Sequence, residues 1–390
     1  MLNKINLLFL LLYSHKRRNI SIFAIATLLI ALLSSVLFIS SSIQKELQNS
    51  LQYQADFTVQ KFVAGRVLNV PSSWIDEFLK IKGVTNVQGR VYGVHYYEPK
   101  ETYFLIVGVD MYEKQVVNTL QKLIDSIDIN DFLSKKNMLI GSGVKAFFDK
   151  YQYNSYYIFR PPDRSKEKVF IYDTLPKSTS LMSNDIILMD ISLARKILGL
   201  KKDDFTDIVL EVENGAEMQK IEEKLIMSHF NTRIIKKSDI EKFYTNLFNY
   251  KGGIFLTLFL ITLSTFLILL YQKYSIVSRV EAKEIALLRM LGWRIKNIIY
   301  LKIVENTILA STAYMLGIIF AYIYVFYFNA PLLKNIFLGF HNLTNDVTFS
   351  YYPNLEVLGL LYLFFIVPFI LAILIPLYKI SVTDISEIIK

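Results

Sequence analysis

Four long apolar stretches, one near the start of the chain and three near its end, constrain the fold more than any other feature of this sequence. They cover residues 19–43, 252–272, 298–328 and 355–378. An α-helix needs about 20 apolar residues to cross a hydrocarbon core of about 30 Å. We therefore predict an α-helical membrane protein with four transmembrane helices in a 1+3 arrangement, with residues 44–251 forming a large polar domain between the first two.

Basic residues lie at one end of each predicted span, which predicts the orientation of the chain. Lys16, Arg17 and Arg18 precede the first span, and only Lys334 lies between the third and the fourth. A larger basic group occupies the connection between the second and third spans: Lys273, Arg279, Lys283, Arg289, Arg294, Lys296 and Lys302. Because basic residues flanking spans stay on the cytoplasmic side, both termini are predicted to be cytoplasmic. The polar domain and the loop 329–354 are then outside, and the tail 379–390 is inside.

The net charge of +9 is explained by these membrane-flanking positions, where basic side chains contact anionic lipid. No basic stripe interleaved with aromatic residues is present, so nucleic acid is not a predicted partner. The chain has no cysteine, which excludes disulfides and thiolate chemistry. In residues 1–18, His15, Lys16, Arg17 and Arg18 follow the apolar run 7–13, which favours an interfacial amphipathic helix over a cleaved signal peptide.

Short strands alternate with helices in the polar domain, which indicates a mixed α/β fold. We predict strands at 56–63, 84–97, 103–109, 185–189, 207–212 and 232–236. Helices are predicted at 73–81, 192–198 and 216–229, with Gly83 and Gly199 ending the first two. The two similar halves of this pattern suggest one subdomain built from separate segments, with residues 137–183 as an inserted β subdomain.

No motif in the polar domain predicts catalysis, a cofactor or a metal. The segment Gly141-Ser142-Gly143-Val144-Lys145 lacks the Gly-Lys-Ser/Thr order of a phosphate loop, so a turn into a short helix is expected. His95, His229 and His341 are scattered without ligand spacing, and Met182 and Met189 are expected to fill core space.

Aromatic residues are frequent in the predicted insert: Tyr151, Tyr153, Tyr156, Tyr157 and Phe159. They could contact a periplasmic partner or a lipid-bearing cargo, since tyrosine combines an apolar ring with a polar tip. Packing in the core of the domain itself is the simpler interpretation, and we favour it.

The most specific motif is the segment 278–293 between the second and third spans. Ile285, Leu288 and Leu291 recur every three residues while charged residues occupy other positions, which predicts an amphipathic helix ended by Gly292. Such a helix can lie along the inner membrane surface and dock into a groove on a cytoplasmic partner. A loop helix that only rests at the interface fits the pattern equally well.

This motif resembles that of the MacB/FtsX-type permeases of ABC transporters, a family that includes FtsX-like and LolC/LolE-like chains. The matching positions are Arg279, Glu284, Ile285, Leu288, Arg289, Leu291 and Gly292, and Leu287 lies among them in the same predicted helix. The resemblance extends to the 1+3 spans and to a large extracytoplasmic domain of the MacB-like periplasmic type. It implies that the segment 273–297 contains the coupling helix that contacts a separate ATPase.

Polar and small residues inside the last two spans are also part of the resemblance. Glu305 and Gly317 match the acid and one of the glycines of the family pattern, with Ala313 in place of another glycine. Ala313 and Gly317 form a small-xxx-small surface for close helix approach. An ion pair of Glu305 with Arg289 or Lys302 is favoured over a proton relay, and Pro368 is predicted to kink the fourth span. Gly252-Gly253 is predicted to form a flexible joint.

The resemblance implies a non-catalytic permease subunit in the bacterial inner membrane. ATP and Mg²⁺ would bind to a separate cytoplasmic ABC ATPase subunit, and this chain would hold no cofactor. Hydrolysis would move the periplasmic domain by mechanotransmission, for export or extraction of a periplasmic or membrane-associated substrate. A second permease chain, a periplasmic protein and membrane lipid are the other partners. A membrane sensor without transport, and an accessory permease of a periplasmic metal or redox system, remain alternatives.

Overall fold

The computed structural model describes residues 16–51, 54–113, 115–116, 121, 124–125, 127–175, 184–275, 279–338, 349–352 and 354–382. The chain divides into two compact units. The first, which we call the helical unit, comprises Met1–Ser42, Asn249–Lys334 and Phe349–Lys390. The second, the sheet unit, comprises Ile43–Phe248 and Asn335–Thr348. The predicted interfacial helix at 1–18 falls outside the described residues except for its last three.

The described elements alternate between helices and strands only in the sheet unit. The helices are α1 Lys16–Leu51, α2 Ser73–Leu79, α3 Ile129–Ser134, α4 Ser142–Lys150, α5 Ile191–Leu198, α6 Met218–Ser228, α7 Lys237–Ser275, α8 Arg279–Met290, α9 Ile295–Tyr322, α10 Pro331–Leu338 and α11 Leu355–Val382. The strands are β1 Phe57–Val63, β2 Arg66–Leu68, β3 Val70–Pro71, β4 Val84–Tyr97, β5 Thr102–Val109, β6 Asn137–Ile140, β7 Tyr156–Phe159, β8 Glu167–Thr174, β9 Ile186–Asp190, β10 Asp204–Phe205, β11 Asp207–Val212 and β12 Thr232–Lys236.

Within the described residues, four helices are long and apolar enough to cross a membrane. They are Asn19–Asn49, Lys237–Ser275, Ile295–Tyr327 and Leu355–Lys379, and each covers one of the four predicted spans, the third except for its last residue. The π-helical turn Ile323–Tyr327 extends α9 at its end. The sequence pattern therefore identified all four helices, although the helices are longer than the apolar stretches.

The predicted flexible joint at Gly252-Gly253 is wrong, because both glycines lie inside the continuous helix α7. A glycine inside a helix costs about 1 kcal/mol relative to alanine. Long apolar sequence follows the pair, and the hydrogen bonds of a 39-residue helix outweigh that local cost.

The helical unit has one apolar core to which α1, α7, α9 and α11 all contribute. Its fully buried members include Ala26, Ile30, Ala310, Ala313 and Phe365. The core combines small side chains on α1 and α9, such as Ala26 and Ala313, with aromatic rings from α7 and α11, of which Phe266 and Phe369 have ring centroids 6.2 Å apart. Side chains of different size therefore fill the space between these helices.

Ten described strands of the sheet unit form one sheet in the order β12-β1-β11-β4-β5-β9-β6-β8-β7, with β2 beside β1. The β5–β9 and β6–β8 pairs are parallel, and the other pairs are antiparallel. A separate small sheet joins β3 to β10. The mixed α/β prediction is confirmed.

The predicted inserted β subdomain at 137–183 is not a separate sheet. Its described strands β6, β7 and β8 continue the large sheet, because β6 pairs with β9. The apolar residues of β6 are buried, so this strand lies in the interior of the sheet and not in an independent module. Residues 176–183 of the predicted insert, including Met182, lie outside the described residues.

Local sequence signals set the ends of several elements. Strands β4, β11 and β12 have the predicted bounds, and glycines with positive φ follow two helices, with Gly83 at +99° and Gly199 at +72°. Glycine adopts this conformation without the steric cost that a Cβ imposes. At the other end of α5, the carboxylate of Asp190 accepts a hydrogen bond from the Ser192 backbone amide.

Three larger apolar cores lie along the large sheet in the described part of the chain. The first, formed with α4 and α5, contains Val91, Phe104, Phe148, Tyr157 and Phe159. The second, formed with α2 and α6, contains residues of β1, β4 and β11, such as Phe57, Val87 and Ile208. The third, formed with α3, contains residues of β5, β6 and β9, such as Val109, Leu139 and Leu188. Tyr157 and Phe159 are buried, whereas Tyr156 is 41% exposed. The core interpretation of the aromatic segment is thus confirmed for most of its residues.

Candidate coupling helix and its support

Helix α8 has one face packed against the helical unit. Ile285 is 2% exposed and forms a cluster with Ile298 of α9 and Leu377 of α11. Leu288 and Trp293 border this cluster. Burying such a side chain is worth about 1.5–3 kcal/mol, so this contact fixes α8 to the two helices beneath it.

The end of α8 is a Schellman motif. Gly292 has φ of +86°, the Trp293 amide donates to the Leu288 carbonyl at 3.0 Å, and the Gly292 amide donates to the Arg289 carbonyl at 3.0 Å. This double hydrogen bond is the usual way in which a glycine ends a helix, and Leu288 and Trp293 supply the accompanying apolar contact. The prediction that Gly292 stops the helix is confirmed.

A second apolar group on α8 faces away from the bundle. Leu287 is 54% exposed, Met290 63% and Leu291 68%. Their i, i+3 and i+4 spacing places them together on one side of the helix. The prediction that Leu291 shares the face of Ile285 and Leu288 is therefore wrong, because each three-residue step falls about 60° short of a full turn, so that Leu291 lies about 120° from Ile285 around the helix. The side chains of Arg279 and Glu284 lie outside the described ones.

Glu305 pairs with Lys302 inside α9, one turn earlier on the same helix. The two side chains are 2% and 8% exposed, and Lys302 Nζ lies 2.8 Å from Glu305 Oε2. A buried carboxylate without a cation would cost several kcal/mol, so the pair removes that cost. The ion-pair prediction is confirmed, with Lys302 as the partner.

A hydrogen bond next to this pair joins α7 to α9. The Tyr274 hydroxyl donates to Oδ1 of Asn306 at 2.6 Å, and Asn306 Nδ2 donates to the Lys302 carbonyl at 2.8 Å. Tyr274 and Asn306 are both buried. Neither was among the predicted site residues. The available signal was Asn306 itself, a polar side chain beside Glu305 in an otherwise apolar span.

Ala313 and Gly317 lie where α9 meets α1. Ala313 is fully buried, and a Cβ built on Gly317 would lie 2.8 Å from Ile30 and 3.0 Å from the Thr27 carbonyl oxygen. The small-residue surface therefore allows close helix approach, as predicted. Its partner is α1 of the same chain.

Pro368 lies inside α11, together with Pro376. Because proline has no amide hydrogen, the carbonyl of Phe364 loses its usual helical partner. The predicted kink at Pro368 stays a prediction.

The polar residues considered in the sheet unit have structural contacts. Gly141 is the N-cap residue of α4, which begins at Ser142, and this confirms the predicted turn into a short helix. His95 Nε2 lies 3.2 Å from the Tyr157 hydroxyl, and burial lowers the pKa of His95. His229 stacks on Trp74 with ring centroids 3.9 Å apart and contacts Glu77. Met189 is buried in the core, and His341 lies outside the described residues.

Solved structures similar to this chain include two domains of ABC-type transporters. The periplasmic region of MacB from Actinobacillus actinomycetemcomitans has a TM-score of 0.31 and 12% identity, covering 52% of this chain and 98% of that chain. The extracellular domain of the noncanonic ABC-type transporter YknZ from Gram-positive bacteria has a TM-score of 0.28 and 12% identity, covering 47% of this chain and 100% of that chain. No family model and no curated protein matches the sequence.

Proposed function

We propose that this chain is a permease subunit of an ABC transporter of the MacB/FtsX type and works with a separate cytoplasmic ATPase. The observation that carries the proposal is the difference between the two faces of α8, one of which is packed while the other is exposed and apolar. One face, at Ile285, is buried against α9 and α11, while Leu287, Met290 and Leu291 remain exposed. A helix that is fixed on one side and apolar on the other can pass a force from a bound partner to the helices beneath it.

The motif resemblance supports the same assignment, because the exposed Leu287 and Leu291 lie within the segment that resembles the coupling helix. The exposed side chains are large and apolar, which suits a groove on a folded protein. In this proposal the partner binds ATP and Mg²⁺, and this chain contributes no catalytic residue.

The polar contacts beneath α8 suit a rigid connection. Tyr274 lies five residues before α8 begins, and its hydrogen bond to Asn306 ties the end of α7 to α9. A movement of α8 would therefore reach both helices together. The sheet unit is the proposed extracytoplasmic domain, which moves when the ATPase partner turns over. The cargo is an exported or extracted periplasmic or membrane-associated substrate.

The test is purification of the full-length chain from native membranes in mild detergent, followed by mass spectrometry. The wild-type chain is expected to bring with it a near-stoichiometric subunit that contains a Walker motif. The double variant Leu287→Glu, Leu291→Glu is expected to lose that subunit while remaining folded, because both side chains are already exposed. Leu288→Asp is a poorer choice, since Leu288 packs inward.

A matched control is Phe230→Glu, which adds a charge at an apolar side chain of the sheet unit that is 88% exposed. This variant is expected to retain the ATPase. Repeated absence of an ATPase from the wild-type preparation would reject the permease assignment and favour a membrane sensor. Retention of the ATPase by the double variant would show that α8 is not the docking helix.

A further inference from the structure

Strand β4 has an open edge over its last five residues. Its partner β11 begins at Asp207, which is opposite Arg90 in the strand pair. The Arg90 guanidinium also donates hydrogen bonds of 3.0 and 2.8 Å to the Asp207 carboxylate. Thr206 covers one further position, since its hydroxyl accepts from the Tyr92 amide and donates to the Tyr92 carbonyl. Beyond that point, no described residue pairs with this edge of 93–97.

The hydrogen-bonding groups on this edge belong to Val94 and Tyr96. The Tyr92 amide points away from β5, toward Thr206. Residue Val94 is opposite Leu105, whose amide donates to Asp185 on the far side of β5. Because outward and inward residues alternate along an antiparallel strand, the amides and carbonyls of Val94 and Tyr96 point outward. Two donors and two acceptors are thus available at strand spacing.

Apolar side chains accompany these backbone groups. Val94 is 61% exposed, Tyr96 43% and Tyr103 49%. Tyr96 and Tyr103 are opposite each other in the β4–β5 pair, and their ring centroids are 4.7 Å apart. Next to them, the side chain of Leu198 packs over the backbone of Gly93, so closely that a Cβ built on Gly93 would lie 2.7 Å from Leu198 Cδ2. The edge is therefore bordered by apolar surface on the Val94 face and by a packed helix on the other.

The β7 edge of the same sheet has a cation beside it. Lys168 of the neighbouring strand β8 places its ammonium 3.9 Å from the ring centroid of Tyr156 and 4.9 Å from that of Phe170. On β4, the exposed edge residues Val94 and Tyr96 are uncharged.

Acidic residues mark one end of the open edge. Glu98 and Glu101 follow β4 in the turn to β5, and burial together with the charges of Glu101 and Glu98 raises the pKa of Tyr96. A carboxylate pair at this end favours a positively charged residue on any chain that lies alongside.

We propose that the edge Gly93–Tyr97 binds an extended segment of a partner protein, which adds to the sheet as a further strand. Main-chain hydrogen bonds to Val94 and Tyr96 supply the affinity, and alternate apolar side chains contact Val94 and the Tyr96–Tyr103 pair. A basic residue of the segment lies beside Glu98 and Glu101. This binding site goes beyond the transporter assignment and does not depend on an ATPase.

The experiment uses the full-length chain in lipid nanodiscs and a set of fluorescent peptides, Lys-Thr-X-Thr-X-Thr-X-Thr-Lys, with X as Val, Leu, Phe or Tyr. Fluorescence anisotropy is expected to show saturable binding for at least one peptide. The same peptide N-methylated at alternate residues is expected to lose binding, because its amides can no longer donate. Val94→Pro removes one outward amide without removing a bond to β5, and is expected to weaken binding about tenfold.

Ile158→Pro is the matched control. The bond from the Ile171 amide to the Ser155 carbonyl places the Ile158 amide outward on β7, and Ile158 is 44% exposed. Binding is expected to be unchanged in this variant. The proposal is overturned if no peptide binds, if the N-methylated peptide binds equally well, or if Ile158→Pro and not Val94→Pro reduces binding. If the wild type dimerises and Val94→Pro does not, the edge binds a second copy of this chain, and the proposal of a partner protein is overturned as well.

Discussion

The hydroxyl of Tyr274 lies 2.6 Å from Oδ1 of Asn306, and this hydrogen bond is buried between α7 and α9. Helix α7 precedes the candidate coupling helix α8 and α9 follows it, so the bond joins the two helices that α8 connects. A specific polar contact of this kind fixes the register between two apolar helices that could otherwise slide along one another.

Replacing Tyr274 with phenylalanine tests this connection. We expect Tyr274→Phe to lower the free energy of unfolding by about 0.6 kcal/mol, the average for hydrogen bonds between membrane helices, and by no more than about 1.7 kcal/mol. Thermal unfolding of the chain in nanodiscs provides the measurement. Tyr300→Phe is the control, because Tyr300 is on α9 but 70% exposed. Equal effects of the two variants would contradict a special role for Tyr274.

The Lys302–Glu305 pair should respond differently to single and double substitution. Glu305→Gln leaves the Lys302 ammonium buried without a carboxylate and should cost about 3–5 kcal/mol. In Lys302→Met, Glu305→Gln no charge remains, so the loss should be smaller than in the single variant. Chemical unfolding of the wild type, the single variant and the double variant in the same detergent would measure the three free energies of unfolding. A double variant as unstable as the single one would argue against a charge-pairing role.

Gly317 and Gly359 offer a comparison of two helix glycines. A Cβ at Gly317 would meet Ile30 at 2.8 Å, whereas a Cβ at Gly359 meets nothing within 4 Å. Gly317→Ala should therefore lose about 1–3 kcal/mol through overpacking, offset in part by better helix propensity. Gly359→Ala should be neutral or gain up to about 1 kcal/mol. Melting temperatures of both variants test whether a side chain at Gly317 overpacks this contact. A stabilised Gly317→Ala would mean that α1 and α9 are further apart than the structure shows.

Gly292 should be sensitive to side-chain addition for a conformational reason and not a steric one. Nothing lies within 4 Å of a Cβ built there, but φ is +86°. Gly292→Ala should cost about 1–2 kcal/mol and loosen the end of α8. Gly292→Asn should be milder, since asparagine tolerates this conformation better. Hydrogen exchange of the Trp293 amide would report the change, with unaltered exchange in both variants as the contrary result.

His95 predicts a pH dependence of stability. Burial lowers the pKa of His95 in the folded protein, so the unfolded chain, with a pKa of about 6.5, binds a proton first as the pH falls. Stability is thus full above about pH 6.5 and is lost on acidification below it. Removing the imidazole in His95→Phe should reduce the fall in melting temperature between about pH 7 and pH 5. An unchanged pH profile would exclude His95 as its source.

Periodicity and turn residues predicted much of the fold because they report local physics. The bounds of β4 follow from its alternation, and Gly199 ends α5 because of its own conformational freedom. The continuation of α7 through Gly252-Gly253 could not be read in the same way. There the hydrogen bonds of a long helix override the weak local preference of two glycines.

Pairing across long sequence distances was the part that local patterns did not reveal. The connection of β6 to β9 joins segments about 50 residues apart and brings the predicted insert into the main sheet. The outward position of Leu291 depends on which face of α8 the neighbouring helices cover, and a three-residue spacing does not encode that. The Tyr274–Asn306 bond likewise requires the relative position of two helices.

The 14-residue strand β4 contributes to two of the apolar cores of the sheet unit, since Val87 lies in one and Val91 in another. At about 3.3 Å per residue such a strand is about 46 Å long. The backbone between these two valines is shared, so melting of either core would remove packing neighbours from the other. These two cores should accordingly unfold together as one cooperative unit, although their side chains form separate clusters.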